Sequence, residues 1–403
     1  LFSADLSNNR IKQKKSSCCL WLVNHTTIMV VRKAPDVILR AMVAFALLAL
    51  GTGAFQVLGG SRRSVVSHSP RLRLWMGTSG PVAEGVPVID INPLWQDEES
   101  AEKLSCVNAI DAACREWGFF QVSNHGVPEE TISKMYEQMR SFFYLPLEEK
   151  YKIKRTSENS RGFYDDELTK QTKDWKQGLD LGSALENCEP GVFQDGWNQW
   201  PAESVLPGFK SDMERYYSEM EVLSAKLMEA IACGLGVPEK DFFVPHFDKH
   251  TSYLRLNYYP VCPDPSVHLG INRHTDAGAL TVLLQDSVSA LQVNKDGDWI
   301  GVQPKEKTFT INVGDMLQVW SNGQYQAPEH RVLANPTLER FSAPFFYNPN
   351  YSSDCTPLES CLDANGPRYS PVNWGVFRQR RFEGDFADVG TEIQISDFLL
   401  SKN

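Results

Sequence analysis

The sequence predicts an α+β chain, with helices gathered in the amino-terminal half and an antiparallel barrel or jelly roll after them. Three observations point there. Apolar residues recur at helical spacing over 101–117, 128–143 and 210–233. From Tyr253 the period changes to two and stays so for about a hundred residues. The short segments that follow are punctuated by tight-turn dipeptides, Asp296-Gly297 and Asn322-Gly323.

In chain order, Val86 to Asp90 reads as a short strand that opens the domain. Leu104, Val107, Ile110, Ala113 and Trp117 mark the apolar face of a first helix. Gly118 to Val122 is a strand ended by Asn124-His125-Gly126, and Pro128 opens a second helix bearing Ile132, Met135, Met139, Phe142 and Phe143. His125, set before glycine in a turn, is expected to be structural. Arg161 to Lys176 reads as loops and an edge hairpin, and 196–201 as a turn region. A long helix over 210–233 should bury Met213, Tyr217, Met220, Leu223, Leu227 and Ile231, and stop at Gly234 or Gly236. In the next strand Arg255, Asn257 and Tyr259 alternate with Leu254, Leu256 and Tyr258, so three polar groups share one face. Further strands are expected over 280–285, 291–293, 299–302, 309–313, 316–320, 330–332 and 340–346. The end piece, 375–403, reads as a short helix and tail, with Arg378, Arg380 and Arg381 on a solvated charged face.

Chemistry concentrates between His274 and Ser342. Residues two apart on a strand point the same way, so His274 and Asp276 can bind one metal from one wall, and His330 from another strand closes the triangle. Two imidazoles and one carboxylate are the ligand set of a mononuclear non-haem iron(II) site with open positions. Arg340 and Ser342 repeat the two-apart spacing, and a guanidinium beside a hydroxyl can hold a carboxylate. His246, His250 and His268 fit no ligand spacing and read as surface or packing residues. Arg255 is open between a substrate contact and an outer salt bridge. Phe163, Tyr164 and Phe346 read as aromatic packing before substrate wall.

The net charge of −10 hides an asymmetry. Residues 1–83 hold eleven Lys/Arg against Asp5 and Asp36, a balance of +9, so the rest carries −19. An acidic body lacks the basic footprint that nucleic acids or anionic membranes require. Nine cysteines without a CxxC pair argue against a disulfide framework, and Cys106, Cys114 and Cys233 read as small core residues. Residues 1–83 are expected to be a disordered leader, with the start at Met29 or Met42. From Met29 a basic stretch, the apolar run Ala41 to Leu50 and small residues 51–54 resemble a signal peptide. Gln56 to Ala83 is arginine- and serine-bearing without any acid, as in a transit peptide. The pair resembles the bipartite plastid presequence of algae with complex plastids, so a plastid location is expected, with the cytoplasm as alternative and no membrane span in the mature chain.

Taken together, the motifs resemble the isopenicillin-N-synthase-like branch of the 2-oxoglutarate/Fe(II)-dependent dioxygenases, over about Val86 to Leu400. The resemblance rests on Leu256-Asn257-Tyr258-Tyr259-Pro260, His274-Thr275-Asp276, Asn312-Val313-Gly314-Asp315, Ser321-Asn322-Gly323, His330-Arg331-Val332 and Arg340-Phe341-Ser342, in order and spacing, and on Gly118 to Pro128 in the first half. It implies a double-stranded β-helix core buttressed by the amino-terminal helices, with iron(II) held at its mouth by His274, Asp276 and His330. It implies 2-oxoglutarate as co-substrate, its far carboxylate on Arg340 with Ser342 and Tyr259, and Asn257 assisting. Dioxygen is the oxidant, and ascorbate is expected to support activity. The implied domains are a leader (1–83), a helical domain (84–250), the catalytic core (251–350) and a segment packing back on it (351–403). The implied reaction is hydroxylation or desaturation of a small organic molecule by a monomeric enzyme, with release of succinate and CO2. Isopenicillin N synthase and aminocyclopropanecarboxylate oxidase keep the Arg-x-Ser pair, so an iron oxidase without 2-oxoglutarate stays open, with a non-catalytic binding protein third. Ala327-Pro328 departs from the family pattern, and Pro328 leaves the local strand geometry open.

Overall fold

The computed structural model describes residues 19–24, 27–32, 85–96, 99–169, 172–183, 196–237, 241–385 and 393–401, with side chains omitted in the leader strands and over 382–385. The expected signal run, cleavage point and transit stretch lie outside the described residues. Within the leader, read from sequence as disordered, β1 (Cys19–Asn24) pairs antiparallel with β2 (Thr27–Arg32), Asn24 opposite Thr27. The two segments are apolar runs, Leu20 to Val23 and Ile28 to Val31, rich in the β-branched and aromatic residues of strands. This hairpin falls in a unit of its own, Leu1–Trp75, separate from Met76–Asn403.

In the larger unit the first half contributes β3 (Val88–Asp90), β4 (Phe119–Ser123), β5 (Gly162–Tyr164), β6 (Leu168–Thr169), β7 (Thr172–Lys173) and β8 (Gln177–Gly182). Its helices include α1 (Ala101–Glu116), α2 (Glu129–Phe143), α3 (Leu147–Tyr151) and α4 (Phe209–Gly234). Ser100 caps α1 by accepting from the Lys103 amide. The buried stripe of α1 is Cys106, Val107, Ile110, Ala113 and Cys114, while Leu104, expected on it, is 61% exposed. Cys233, also expected in the core, is exposed near the end of α4.

The second half contributes α5 (Val244–Phe247), β9 (Tyr253–Tyr259), β10 (Leu269–His274), β11 (Leu280–Gln285), β12 (Leu291–Lys295), β13 (Asp298–Gly301), β14 (Phe309–Val313), α6 (Asp315–Trp320), β15 (His330–Leu333), β16 (Arg340–Tyr347) and α7 (Trp374–Asp385). An eight-stranded sheet runs β3-β4-β14-β11-β16-β9-β8-β5, and a four-stranded sheet runs β10-β15-β12-β13. One core cluster joins α1, α2 and α4 to the large sheet, and a second joins Phe119, Tyr259 and Leu283 of that sheet to Leu291, Val293 and Val332 of the small one. The large sheet is thus covered on both faces, which is why Phe309 to Val313 is buried at every position instead of every second one. This two-sheet jelly roll with helices on one side is the expected α+β fold.

Two turn readings part ways here. Asp296 (φ 54°) and Gly297 (φ 95°) form the tight turn between β12 and β13, as expected. Asn322 and Gly323 also adopt positive φ, but they close a helix, because Met316 to Trp320 is α6 and not a strand. Every residue of α6 is buried, so its burial carries no period from which helix and strand could be told apart. Among the described residues no helix is long and apolar enough to cross a membrane.

Candidate metal and co-substrate site

The antiparallel pairing of β10 with β15 sets His274 directly opposite His330. Their rings lie 4.3 Å apart between centroids, and each Nε2 is 3.6 Å from Asp276 Oδ1. One ligand atom from each of the three residues falls within 4.8 Å of the others. Asp276 lies just past the end of β10, so strand alternation alone does not aim it, as the spacing had suggested. Its Oδ2 instead accepts from Thr281 Oγ1 on β11 and from Asn312 Nδ2 on β14 at 2.7 Å. His274 Nδ1 is 2.8 Å from the Asn272 carbonyl and His330 Nδ1 is 3.1 Å from the Pro328 carbonyl. A carbonyl only accepts, so each Nδ1 carries a proton, and Nε2 is the ring nitrogen turned to Asp276. Pro328 itself precedes β15, so it costs the ladder no donor.

Electrostatics agree with a cation site. Burial, with the second imidazole of His330 adding to it, pushes His274 down to about 3, so the ring is neutral near pH 7. Burial would raise Asp276, but the two imidazoles and the Thr281 and Asn312 hydrogen bonds outweigh it and hold the carboxyl below its usual range. Two imidazole nitrogens and one carboxylate oxygen, each oriented by a second partner, suit a divalent metal that takes N and O ligands.

A cavity of about 490 Å³ opens between the sheets beside this cluster. Arg340 opposes Tyr259 and Ser342 opposes Asn257 across β16 and β9, so all four residues share one patch of its wall. The Arg340 guanidinium lies 5.1 Å from the Tyr259 ring centroid, and Nη2 donates to Gln285 Oε1 at 3.1 Å. Arg340 is 2% exposed, yet its Nε and Nη1 have no hydrogen-bond partner, and neither does Asn257 Oδ1. All seven residues singled out in the sequence therefore meet at one cavity.

The other candidates separate as follows. His125 is buried, accepts from the Val127 amide at Nδ1 and packs on Phe309, a structural role as expected. His250 pairs with Glu221, His246 faces Ser353 and His268 lies on Trp175, none of them at the cluster. Phe163 packs in the helical core, whereas Phe346 lines the cavity. Arg378 and Arg381, read from sequence as solvated, also line the cavity, because α7 folds back against its mouth. Arg381 donates to the Thr275 carbonyl beside the cluster. No local signal separates such arginines from a surface run.

Arg255 is neither a bare substrate contact nor an outer salt bridge. It makes a two-bond pair with Asp180, both at 2.8 Å, and reaches Glu167 at 3.3 Å inside the cavity wall. Glu167 also takes Lys176 Nζ at 2.6 Å and faces Arg155 at 3.5 Å. Burial opposes its ionisation, but Arg255, Lys176 and Arg155 outweigh it and hold the carboxyl at about 2. Removing one partner from a buried ion pair costs about 3–5 kcal/mol, so Glu167→Gln is expected to lower unfolding stability by about that much at pH 7. Since the folded value lies below the ordinary 4.5, this contribution is complete above that pH and fades as pH falls toward 2. Denaturant titrations of both proteins should therefore converge in acid; a gap that stays constant with pH would refute the assignment.

Comparison with known proteins agrees with this geometry. The 2OG-Fe(II) oxygenase superfamily pattern matches residues 250–349, and that of the non-haem dioxygenase in morphine synthesis N-terminal region matches residues 86–203. Jasmonate-induced oxygenase 2 of Arabidopsis thaliana is 35% identical over 308 residues, 74% of this chain and 79% of the relative. Codeine O-demethylase of Papaver somniferum is 33% identical over 327 residues, 80% of this chain and 86% of the relative. Among solved structures, JOX2 in complex with 2OG, Fe and JA aligns with a TM-score of 0.65 at 31% identity, over 78% of this chain and 89% of that one. A full-length Neurospora crassa protein in complex with alpha-KG and thymine aligns at 0.66 and 27%, over 74% and 96%. With the fold, the relatives and the cavity in agreement, the chain belongs to the 2OG-Fe(II) oxygenase superfamily and is a non-haem iron(II)- and 2-oxoglutarate-dependent dioxygenase.

Proposed function

We propose that His274, Asp276 and His330 hold the iron(II), and that Arg340, Ser342, Tyr259 and Asn257 hold 2-oxoglutarate in this dioxygenase. The observation that carries the second half is the orphaned Arg340 guanidinium. A buried cation with two unpaired nitrogens is costly, and the distal carboxylate of 2-oxoglutarate supplies both the charge and the acceptors. When bound, iron(II) with 2-oxoglutarate and dioxygen supplies the oxidative decarboxylation that yields succinate and CO2 and oxidises a C–H bond of a small organic molecule.

The chain's own groups position and shield. The Nδ1 bonds of His274 and His330 keep both rings in one tautomer, and Thr281 with Asn312 fix the Asp276 carboxylate. The stacked pair Tyr253 and Phe346, 4.7 Å between centroids, walls the cavity with Pro344 and keeps water from that side. Ser342 and Tyr259 lend hydroxyls to the carboxylate on Arg340, and Asn257 turns its amide toward the same volume.

Aerobic incubation with iron(II), ascorbate and labelled 2-oxoglutarate is the direct test. Slow succinate release without added substrate is expected. Iron binding without 2-oxoglutarate binding would instead identify an oxidase that needs no keto acid, and neither binding would leave a non-catalytic protein.

A further inference from the structure

At the opposite end of the cavity from Arg340 a second guanidinium lacks a counter-charge. Arg161 is 5% exposed and lines the cavity just before β5. Its backbone is pinned, the amide donating to Asn159 Oδ1 and the carbonyl accepting from Gln199 Nε2. Gly182 makes room for the side chain, since a Cβ there would lie 2.9 Å from Arg161 Nε and Nη2. The guanidinium carbon stands 5.2 Å from the Tyr253 ring centroid, and Nε has no hydrogen-bond partner.

The neighbouring carboxylates are already engaged. Asp166 pairs with Lys154, Glu167 with Lys176 and Arg255, Asp180 with Arg255, and Asp276 belongs to the metal cluster. Among the described residues none forms an ion pair with Arg161. The cavity lining as a whole holds eight Lys/Arg against four Asp/Glu. The Arg378 guanidinium stands 5.3 Å from the same Tyr253 ring, and its Nη1 donates to the Thr251 carbonyl.

Strand register places this end. Tyr253 and Tyr259 are six residues apart on β9, roughly 20 Å along the strand, so Arg161 and Arg340 serve opposite ends. Thr281, which holds Asp276, lies opposite Phe346, and Phe346 lies opposite Tyr253. Two strand spacings, roughly 10 Å, therefore separate the Tyr253 position from that of Thr281.

We propose that the primary substrate is an organic acid whose carboxylate is bound by Arg161 over the Tyr253 ring, with its apolar body running along Tyr253 and Phe346 toward the metal cluster. The planar guanidinium matches a carboxylate with two parallel bonds. The body between the acid group and the oxidised C–H bond spans on the order of 10 Å. This deepens the proposed function and rests on Arg340, not Arg161, being the anchor of 2-oxoglutarate.

The test uses the full chain loaded with iron(II) and 2-oxoglutarate, held without oxygen. Binding is titrated with 3-phenylpropionate, 4-phenylbutyrate and 3-cyclohexylpropionate, each against its methyl ester, and with phenyl phosphate. At least one acid is expected to bind roughly ten- to a hundredfold more tightly than its ester, the range of one charge-assisted bond. Arg161→Gln should bring that ratio close to one, while Arg161→Lys keeps part of it, both variants being checked by melting temperature. Equal binding of acids and esters, a ratio that survives Arg161→Gln, or tighter binding of phenyl phosphate overturns the assignment. Should Arg161→Gln not fold, the wild-type ratio and its partial loss in Arg161→Lys still decide. The proposed 2-oxoglutarate site fails separately, by absent succinate release in the wild type, because the acid-to-ester ratio is read from binding alone.

Discussion

Replacing His274 with alanine is expected to abolish succinate release, by roughly a thousandfold or more, because the proposed iron(II) site loses one of its three ligands. Asp276 then stands beside one imidazole instead of two, and the remaining pair offers one nitrogen and one oxygen. His268→Ala is the matched control. That ring lies on Trp175, 4.9 Å between centroids, and is not part of the cavity wall. Turnover and bound iron, measured side by side, should collapse in the first variant and stay near wild type in the second. Equal losses in the two would mean the ligand set is wrong.

Arg340→Met is expected to weaken 2-oxoglutarate binding by roughly thirtyfold to several thousandfold, the range of 2–5 kcal/mol for truncating one partner of a buried charge pair. Methionine keeps the side chain's apolar bulk, so the loss should appear in the KM for 2-oxoglutarate and not in iron content. Arg340→Lys should recover only part of it, because a point charge cannot donate two parallel bonds to the distal carboxylate. A KM within threefold of wild type in Arg340→Met would show that the keto acid is anchored elsewhere, and the unpaired Nε and Nη1 would need another explanation.

Much of this candidate site is legible in the sequence. The two-residue rhythm of Tyr253 to Tyr259 does turn Arg255, Asn257 and Tyr259 to the cavity and Leu254 and Leu256 to the helix-side core. The spacing of Arg340 and Ser342 places both beside Tyr259 and Asn257 in register. Other readings failed where burial has no period or where distant segments meet. Met316 to Trp320 is buried on every side and became a helix. Leu104 lies off the stripe that α1 presents to the core. Arg378 and Arg381 read as a solvated charge run, and only the return of α7 carries them to the cavity.

The chain's local pattern was enough to specify the strand alternation of Tyr253 to Tyr259 and the turn at Asp296-Gly297, because each depends on residues within one or two positions of one another. It could not specify which charges are spent on each other. Glu167, Lys176, Asp180 and Arg255 neutralise one another across 88 residues of sequence, while Arg161 and Arg340 are left without a carboxylate. Whether a buried charge is paired depends on which segments are brought within a few ångströms, as the β8–β9 register does for Asp180 and Arg255.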